Sequence, residues 1–179
     1  VSLTELGSIK IDKEDRKKMY KTIPRSSVIG FLIGVLPGAG ATIASLSAYG
    51  MERQLVNDDE KQKFGKGSVN GLSAPETANN AACSGSFVPM LTLGIPGSGT
   101  TAVMLGALLV FGVQPGPRLY MTNPEIFWSI IMSMYIGMVI LLILNLPLIP
   151  YIARILAVPK NYLIPLILFF SITGIYVMS

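Results

Sequence analysis

Residues 36–42 read Leu-Pro-Gly-Ala-Gly-Ala-Thr and residues 95–101 read Ile-Pro-Gly-Ser-Gly-Thr-Thr, and apolar residues flank both segments. Proline lacks a backbone N–H donor, and glycine tolerates dihedral angles that other residues avoid, so both segments predict an interrupted helix. Where lipid surrounds a chain, unpaired backbone groups must line a cavity or be buried in protein. Interrupted helices of this kind are typical of the binding sites of secondary transporters.

The composition is that of an integral membrane protein. Of 179 residues, 51% are hydrophobic and 13% are charged, and the mean hydropathy is +0.57. The net charge is +4, but the basic residues flank apolar runs, which is typical of juxtamembrane anchors rather than of nucleic-acid binding. We therefore expect an all-α, polytopic integral membrane protein with discontinuous helices and no nucleic-acid partner.

Residue types that carry most enzyme chemistry are scarce. Cys83 is the single cysteine and histidine is absent, which excludes an internal disulfide and a catalytic triad and argues against a zinc or haem site. We therefore expect no catalytic residue, no enzyme activity and no firm metal site. The chain begins at Val1 and ends at Ser179 directly after an apolar run, so we expect a piece of a longer protein.

Charge and hydropathy divide the chain into five segments. They are a basic cytoplasmic lead-in (1–25), a broken helix or re-entrant hairpin (26–50), a cytoplasmic loop (51–69), discontinuous membrane helices with a site motif (70–113), and two transmembrane helices (114–179) with a basic loop at 151–160. Placing the basic segments in the cytoplasm follows the positive-inside rule.

The first break permits two topologies. Residues 28–36 and 41–50 supply roughly nine and ten apolar positions, each enough for about half a bilayer at about 1.5 Å per residue. A re-entrant hairpin fits these lengths, and a single broken span fits nearly as well. Basic residues on both sides of the segment favour the hairpin. The glycines at positions 30, 34 and 38 recur every four residues, which predicts close helix packing.

The later segments carry helix-start signals. Pro75 predicts the start of a helix with Glu76 in its first turn, and the second break divides residues 70–113 into two helical arms. Thr122-Asn123-Pro124-Glu125 predicts another helix start. A span of about 23 residues would follow to Leu146, where Pro147 and Pro150 end or kink it, and residues 161–178 would form a last span.

An offset of 59 residues aligns the two breaks. It matches Pro37 with Pro96, Gly38 with Gly97, Gly40 with Gly99, Thr42 with Thr101, Leu46 with Leu105 and Ala48 with Ala107. This similarity suggests two equivalent elements. The alternative is that apolar, glycine-rich helices look alike because of their composition.

The two breaks predict a carboxylate site made of neutral donors. Free amides at a helix start and nearby hydroxyls suit an anion, although the same hydroxyls often cap their own helices. The second break resembles a phosphate loop, but Thr100 stands where the lysine is needed. The predicted substrate-binding residues of the breaks are Gly38, Gly40, Thr42, Gly97, Ser98, Gly99, Thr100 and Thr101.

A second group lies in residues 74–81, Ala-Pro-Glu-Thr-Ala-Asn-Asn-Ala. The amides of Asn79 and Asn80 can bind a carboxylate or coordinate a hard cation through oxygen. Glu76 is either a cation ligand or an interfacial partner of the helix dipole. We expect cation coupling, by sodium or a proton, at Glu76, Asn79 and the backbone near Pro37 and Pro96.

The motifs GVLPGAGATIASLSAYG (34–50) and FGKGSVNGLSAPETANNAACSGSFVPMLTLGIPGSGTTAVMLGALLVFGVQPGP (64–117) resemble the large membrane permease subunit of the tripartite tricarboxylate transporters. The resemblance implies part of a multi-pass permease of the bacterial inner membrane, from its second half. It also implies a small membrane subunit, a periplasmic solute-binding protein and symport of citrate-like carboxylates. The family's features fall on Pro37, Gly38, Gly40, Pro75, Glu76, Asn79, Asn80, Pro96, Gly97 and Ser98.

Two other functions remain open from the residues alone. A membrane scaffold subunit would use the glycines only for packing, and solute uptake would then not depend on this chain. An ion channel would use the Pro-Gly turns as a filter, and its flux would neither saturate nor require a binding protein.

Overall fold

The computed structural model describes residues 11–153 and 160–178, and every regular element in these ranges is an α-helix. The helices are α1 (Lys13–Val35), α2 (Gly40–Leu55), α3 (Asp58–Lys61), α4 (Val69–Gly85), α5 (Phe87–Leu93), α6 (Gly99–Val110), α7 (Leu119–Thr122), α8 (Pro124–Ala153) and α9 (Lys160–Met178). The all-α prediction is confirmed. The chain divides into two compact units, one extending to Ile130 and the other containing the described residues from Ile131 onward.

Helices α1 and α4 run parallel in a constant register. Thr22 on α1 accepts a 2.8 Å hydrogen bond from Asn70 on α4, 48 residues later in the sequence. The same spacing places Gly30 against Ala78 and Gly34 against Ala82, where a Cβ built on Gly34 would lie 2.6 Å from Ala82 Cα. The backbones touch here because glycine has no side chain, as the glycine spacing predicted.

Helix α2 folds back along α1. The hydroxyl of Thr22 donates a 2.8 Å hydrogen bond to Glu52, although the two residues are 30 positions apart. A straight helix would separate them by about 45 Å. The break at residues 36–39 is therefore the turn of a helical hairpin and not a gap in one continuous span. That this hairpin is re-entrant in a bilayer stays a prediction.

Small side chains fill the space between α1, α2 and α4. The buried cluster consists of Ala44, Ala48, Ala74, Ala78 and Ala82, with Ile33 and Ala41 packed against it. Ser45 on α2 adds a 3.1 Å hydrogen bond from its hydroxyl to the carbonyl of Pro75 on α4. Interfaces of this composition let helix backbones approach closely, as in membrane helix packing.

The prediction that Pro75 starts a helix is wrong. Helix α4 begins at Val69, because the side chain of Ser68 caps it by accepting a 3.0 Å bond from the amide of Gly71. Pro75 lies inside α4. The two predicted arms are in fact three helices, since α4 and α5 are separated at Ser86 before the second break divides α5 from α6.

The predicted boundary at residue 25 lies within a helix. Residues 13–25 and the apolar residues 26–35 both belong to α1, which begins after the N-cap Asp12. Residues 1–10 of the predicted lead-in lie outside the described residues. The loop predicted at 51–69 contains the end of α2 and the short helix α3.

Helix α8 begins at Pro124, which confirms the helix-start signal, and continues past Pro147 and Pro150 to Ala153. Of the two predicted effects of these prolines, ending the helix is wrong, because an apolar helix can tolerate the loss of single backbone bonds, and a kink stays a prediction. Within the described ranges, α8 is the one helix long and apolar enough to cross a membrane, over a stretch of 26 residues (124–149) with mean hydropathy 2.4. Shorter apolar helices cover Gly99–Val110 and Asn161–Val177, so the polytopic arrangement stays a prediction. Residues 154–159 of the predicted basic loop, including Arg154, lie outside the described residues.

Candidate functional site

The first break is the exposed apex of the α1–α2 hairpin. Gly38 and Gly40 have φ angles of +79° and +69°, in the left-handed region that favours glycine. A Cβ at either position would meet no atom of the described residues within 4 Å. Ala39, the N-cap residue of α2, makes no side-chain capping bond. The glycines are thus needed for the backbone path, and no side chain at the cap position satisfies the amides at the start of α2.

The second break is capped by its own hydroxyls. Helix α5 ends at Leu93 and is followed by Gly94 as its C-cap, with φ +70°, and Ser98 caps the start of α6. The amide of Ser98 donates to Thr101 Oγ1 over 2.8 Å, and the amide of Thr101 donates to Ser98 Oγ over 3.3 Å. These two predicted substrate residues therefore form a capping box, which is the alternative role that the sequence left open.

The structure brings the second break against the end of α1. Gly97 is buried, and a Cβ built on it would lie 2.9 Å from Ser86 Cβ and 3.3 Å from the carbonyl oxygen of Gly34. Gly34 is in the last turn of α1, directly before the first break. The two breaks are therefore neighbours at one end of the helix bundle.

The sequence similarity between the two breaks corresponds only in part to a similar backbone structure. Helices α2 and α6 begin at Gly40 and Gly99, which the offset of 59 residues makes equivalent. Gly38 and Gly40 have positive φ angles, whereas Gly97 and Gly99 do not. The two breaks thus start helices at corresponding positions but follow different backbone paths.

Asn79 lies at the same end as the two breaks. Ser45 faces Pro75 and Glu52 faces Asn70, so α2 and α4 are antiparallel. One turn beyond the Ser45–Pro75 contact, this register brings Asn79 level with the first turn of α2. Asn79 is half-buried, and Thr42 in that first turn is exposed.

The other residues predicted on α4 lie on its exposed side. The amide of Asn80 donates a 2.9 Å bond to the carbonyl of Glu76 in its own helix, and both residues are exposed. Gly99 and Thr100 on α6 and Pro37 at the hairpin apex are also exposed, and Pro96 is half-buried. Within the described chain, the two breaks lie against each other and Asn79 is level with the start of α2, whereas Glu76 and Asn80 face outward.

A polar cluster that was not predicted from the sequence lies at the opposite end of the bundle. Glu52 is 0% exposed and accepts bonds from Thr22 (2.8 Å), from Arg25 Nη2 (2.7 and 2.9 Å) and from Asn70 (3.0 Å). One carboxylate thus links α1, α2 and α4. The available signal was its position: Glu52 follows Ala44 and Ala48 at intervals of four, on the small-residue face of α2.

A second buried acid holds α3 beside this cluster. Glu60 accepts bonds from Lys18 (3.1 Å) and from the hydroxyl of Ser68 (2.8 Å), and Lys63 lies 3.7 Å away. Burial by itself would raise the pKa of Glu60. The hydrogen bonds from Ser68 and Lys18 and the charges of Lys18 and Lys63 outweigh burial and lower its pKa below the usual 4.5.

The sequence is similar to those of known proteins over nearly its whole length. The model of a family described as "Tripartite tricarboxylate transporter TctA family" matches residues 2–179. The chain belongs to the TctA family. This confirms the resemblance noted from the break motifs, and because this is a family of membrane transporters, it also confirms that the chain is not an enzyme.

Relatives of this family member occur in Agrobacterium vitis. The chain is 40% identical over 176 residues to an uncharacterized 52.8 kDa protein in the TAR-I ttuC' 3' region, covering 98% of the chain and 35% of that relative. It is 44% identical over 147 residues to an uncharacterized protein in the TAR-II ttuC' 3' region, covering 82% of the chain and 60% of that relative. The chain therefore spans about a third of the first relative and less than two thirds of the second. No solved structure matches it.

Proposed function

We propose that this chain is part of the permease subunit of a binding-protein-dependent secondary transporter that imports tricarboxylates or related carboxylates. The family match over residues 2–179 and the apolar helix α8 support a transport role in a membrane. Because the chain spans only part of its relatives, the proposal concerns the full-length permease. The subunit would be a multi-pass protein of the bacterial inner membrane.

The observation that carries the proposal is the meeting of both helix breaks and Asn79 at one end of the bundle. A Cβ on Gly97 would lie 3.3 Å from the carbonyl oxygen of Gly34, and the α2–α4 register brings Asn79 level with the start of α2. Amides at the start of α2, the hydroxyl of Thr42 and the amide of Asn79 are neutral donors that suit a carboxylate. Ser98 and Thr101 contribute less, because their hydroxyls already bond each other's backbone.

The length of the hairpin supports a site within the bilayer. Thr22, in the polar cluster around Glu52, and Val35, directly before the first break, are 13 residues apart on α1. This separation corresponds to about 20 Å. The hydrocarbon core of a bilayer is about 30 Å thick. The positive-inside rule places the polar cluster, with its basic neighbours, at the cytoplasmic headgroups. The apex of the hairpin then lies inside the membrane, and the hairpin is re-entrant.

The transport cycle proposed here couples carboxylate import to sodium or a proton. The oxygen ligands proposed for the cation are backbone carbonyls near Pro37 and Pro96 and the side-chain oxygen of Asn79. Glu76 is a further candidate, although it faces outward from α4 in the described residues. Access would alternate between a periplasmic binding protein, which delivers the substrate with the help of a small membrane subunit, and the cytoplasm. Uptake measured with and without a sodium gradient at constant pH separates the two coupling ions.

Asn79 and Asn80 provide a matched pair for testing the site. In the full-length permease with its partner subunits, we expect Asn79→Ala to lower the initial rate of carboxylate uptake by about tenfold, the loss of one hydrogen bond to a charged group. Asn80→Ala should leave uptake within about twofold, since its amide bonds only its own helix. Cells that lack the permease provide the baseline, and membrane amounts are matched by immunoblot.

Three outcomes would contradict, in turn, the role of Asn79, the transport role of the subunit and the carrier mechanism. Equal uptake by the Asn79 variant and the wild type removes Asn79 from the site. Unchanged uptake in cells that lack the permease indicates a scaffold subunit instead. Flux that does not saturate and is independent of the binding protein indicates a channel.

A further inference from the structure

A cavity of about 550 Å³ opens beside the charged end of the bundle, away from the two breaks. It lies between the polar half of α1, the end of α2, the start of α3 and the first turn of α4. Its lining includes Lys17, Lys21, Arg25, Leu55 and Asn70. None of these residues belongs to the proposed carboxylate site.

The charges around the cavity leave one positive charge uncompensated. Its cations are Lys17, Lys18, Lys21 and Arg25, and its acids are Glu14, Glu52 and Glu60. Lys18 and Arg25 are paired with Glu60 and Glu52. Lys17 and Lys21 then face only the charge of Glu14. The cavity is therefore suited to a ligand group with a single negative charge.

Arg25 has further donors to offer. Both of its contacts with Glu52 come from one nitrogen, Nη2. Its side chain is 39% exposed and lines the cavity, so part of the guanidinium is accessible there. A guanidinium carries five N–H donors in a planar fork that matches phosphate oxygens. Arg25 can therefore hold Glu52 and still bind an anion.

The same face of α1 continues from the cavity as an apolar surface. At 3.6 residues per turn, positions 17, 21, 25, 28 and 32 fall within an arc of about 80°. The first three are cationic, whereas Val28 and Leu32 are apolar and 59% and 60% exposed. A positively charged cavity thus borders an exposed apolar strip along one helix face.

We propose that this cavity binds the phosphate group of an anionic phospholipid, whose acyl chains lie along Val28 and Leu32. A phosphodiester carries one negative charge, which matches the excess charge, and the apolar strip matches the chains joined to it. Basic pockets at the cytoplasmic ends of membrane helices recognise anionic headgroups in this way. The inference rests on the membrane placement in the proposed function.

Phosphatidylglycerol serves as the probe, and the full-length permease in neutral detergent serves as the protein. We expect phosphatidylglycerol to raise the melting temperature of the wild type by several degrees through preferential binding to the folded state, and phosphatidylcholine or inorganic phosphate to raise it much less. Lys17→Ala/Lys21→Ala should lose at least half of the phosphatidylglycerol shift. Lys61→Ala/Lys66→Ala, which removes two exposed lysines outside the cavity, should keep it.

Native mass spectrometry of the same proteins counts the bound phosphatidylglycerol and gives a result even if a variant is less stable. Equal shifts and equal lipid counts in both double variants overturn the inference, as does equal stabilisation by phosphatidylcholine. An equal shift with inorganic phosphate assigns the cavity to a free anion and also overturns it. A permease that transports carboxylates without preferring phosphatidylglycerol overturns this inference alone, and one that binds the lipid but never transports overturns only the proposed function.

Discussion

Gly34 supports two features of the molecule at once. Its missing side chain lets α1 touch the backbone of Ala82 on α4, and its carbonyl oxygen lies beside Gly97 of the second break. Gly30 makes the corresponding contact with Ala78 one turn earlier. Close packing of α1 and α4 therefore also sets the position of the second break.

Gly34→Ala tests this contact. The added methyl group overlaps the backbone of Ala82, so we expect the free energy of unfolding of the full-length permease to fall by about 1–3 kcal/mol. Gly50→Ala is the matched control, because its Cβ meets no described atom within 4 Å and alanine is the better helix former. Thermal unfolding in detergent measures both. Equal melting temperatures for the two variants would contradict the close approach.

At the residue scale, local chemistry was predictable and partners were not. The glycine spacing correctly predicted a packing face at positions 30 and 34, while Gly38 serves the turn instead. Glu52 was missed because its partners Thr22 and Asn70 lie 30 and 18 positions away. Only the register of three helices brings them together.

At the element scale, proline alone does not predict where a helix breaks. Both breaks join proline to glycine, at Pro37-Gly38 and Pro96-Gly97. Six other prolines lie inside helices, namely Pro24, Pro75, Pro89, Pro147, Pro150 and Pro165. A proline removes one backbone bond, which a helix can survive, and a following glycine lets the chain change direction. The sequence therefore predicted both breaks correctly, but the predicted helix start at Pro75 and the predicted helix end at Pro147 or Pro150 are wrong, and glycine does not follow any of these three prolines.

The attachment of α3 to α1 should depend on pH through Glu60. Its pKa is lower in the folded protein than its usual 4.5, so it stabilises the fold above that value and loses this effect as the pH falls through the folded pKa. We expect Glu60→Gln to lower the melting temperature at about pH 7 and the difference from wild type to shrink as the pH falls below 4.5, because the Glu60 carboxylate then becomes protonated. Melting curves across this range measure it.

The exposed neighbour Asp59 provides the control for this pH series. Asp59→Asn should track the wild type at every pH, because Asp59 makes none of the contacts that hold Glu60. A constant difference between Glu60→Gln and wild type down to the lowest pH would show that the charge of Glu60 does not hold α3.

At the scale of the whole molecule, the unit ending at Ile130 has two chemically distinct ends. Ionised side chains and the basic cavity lie at one end, and the two uncharged breaks with Asn79 lie at the other. This separation is what a membrane protein requires if one end meets headgroups and the other carries a solute through the bilayer. The sequence predicted this polarity from its charge distribution, but the parallel α1–α4 pairing that produces it follows from tertiary packing.

The central claim is that the broken helices form the substrate site, and uptake by glycine variants tests it most directly. Gly38→Ala/Gly40→Ala forces alanine into left-handed conformations that cost about 1–2 kcal/mol each, without a steric clash, and so reshapes only the break. The matched control, Gly50→Ala/Gly106→Ala, adds two methyl groups in open space within helices. At equal membrane amounts, we predict that the initial rate of carboxylate uptake falls at least about tenfold in the first variant and stays within about twofold in the control. Equal uptake by both variants would contradict the account.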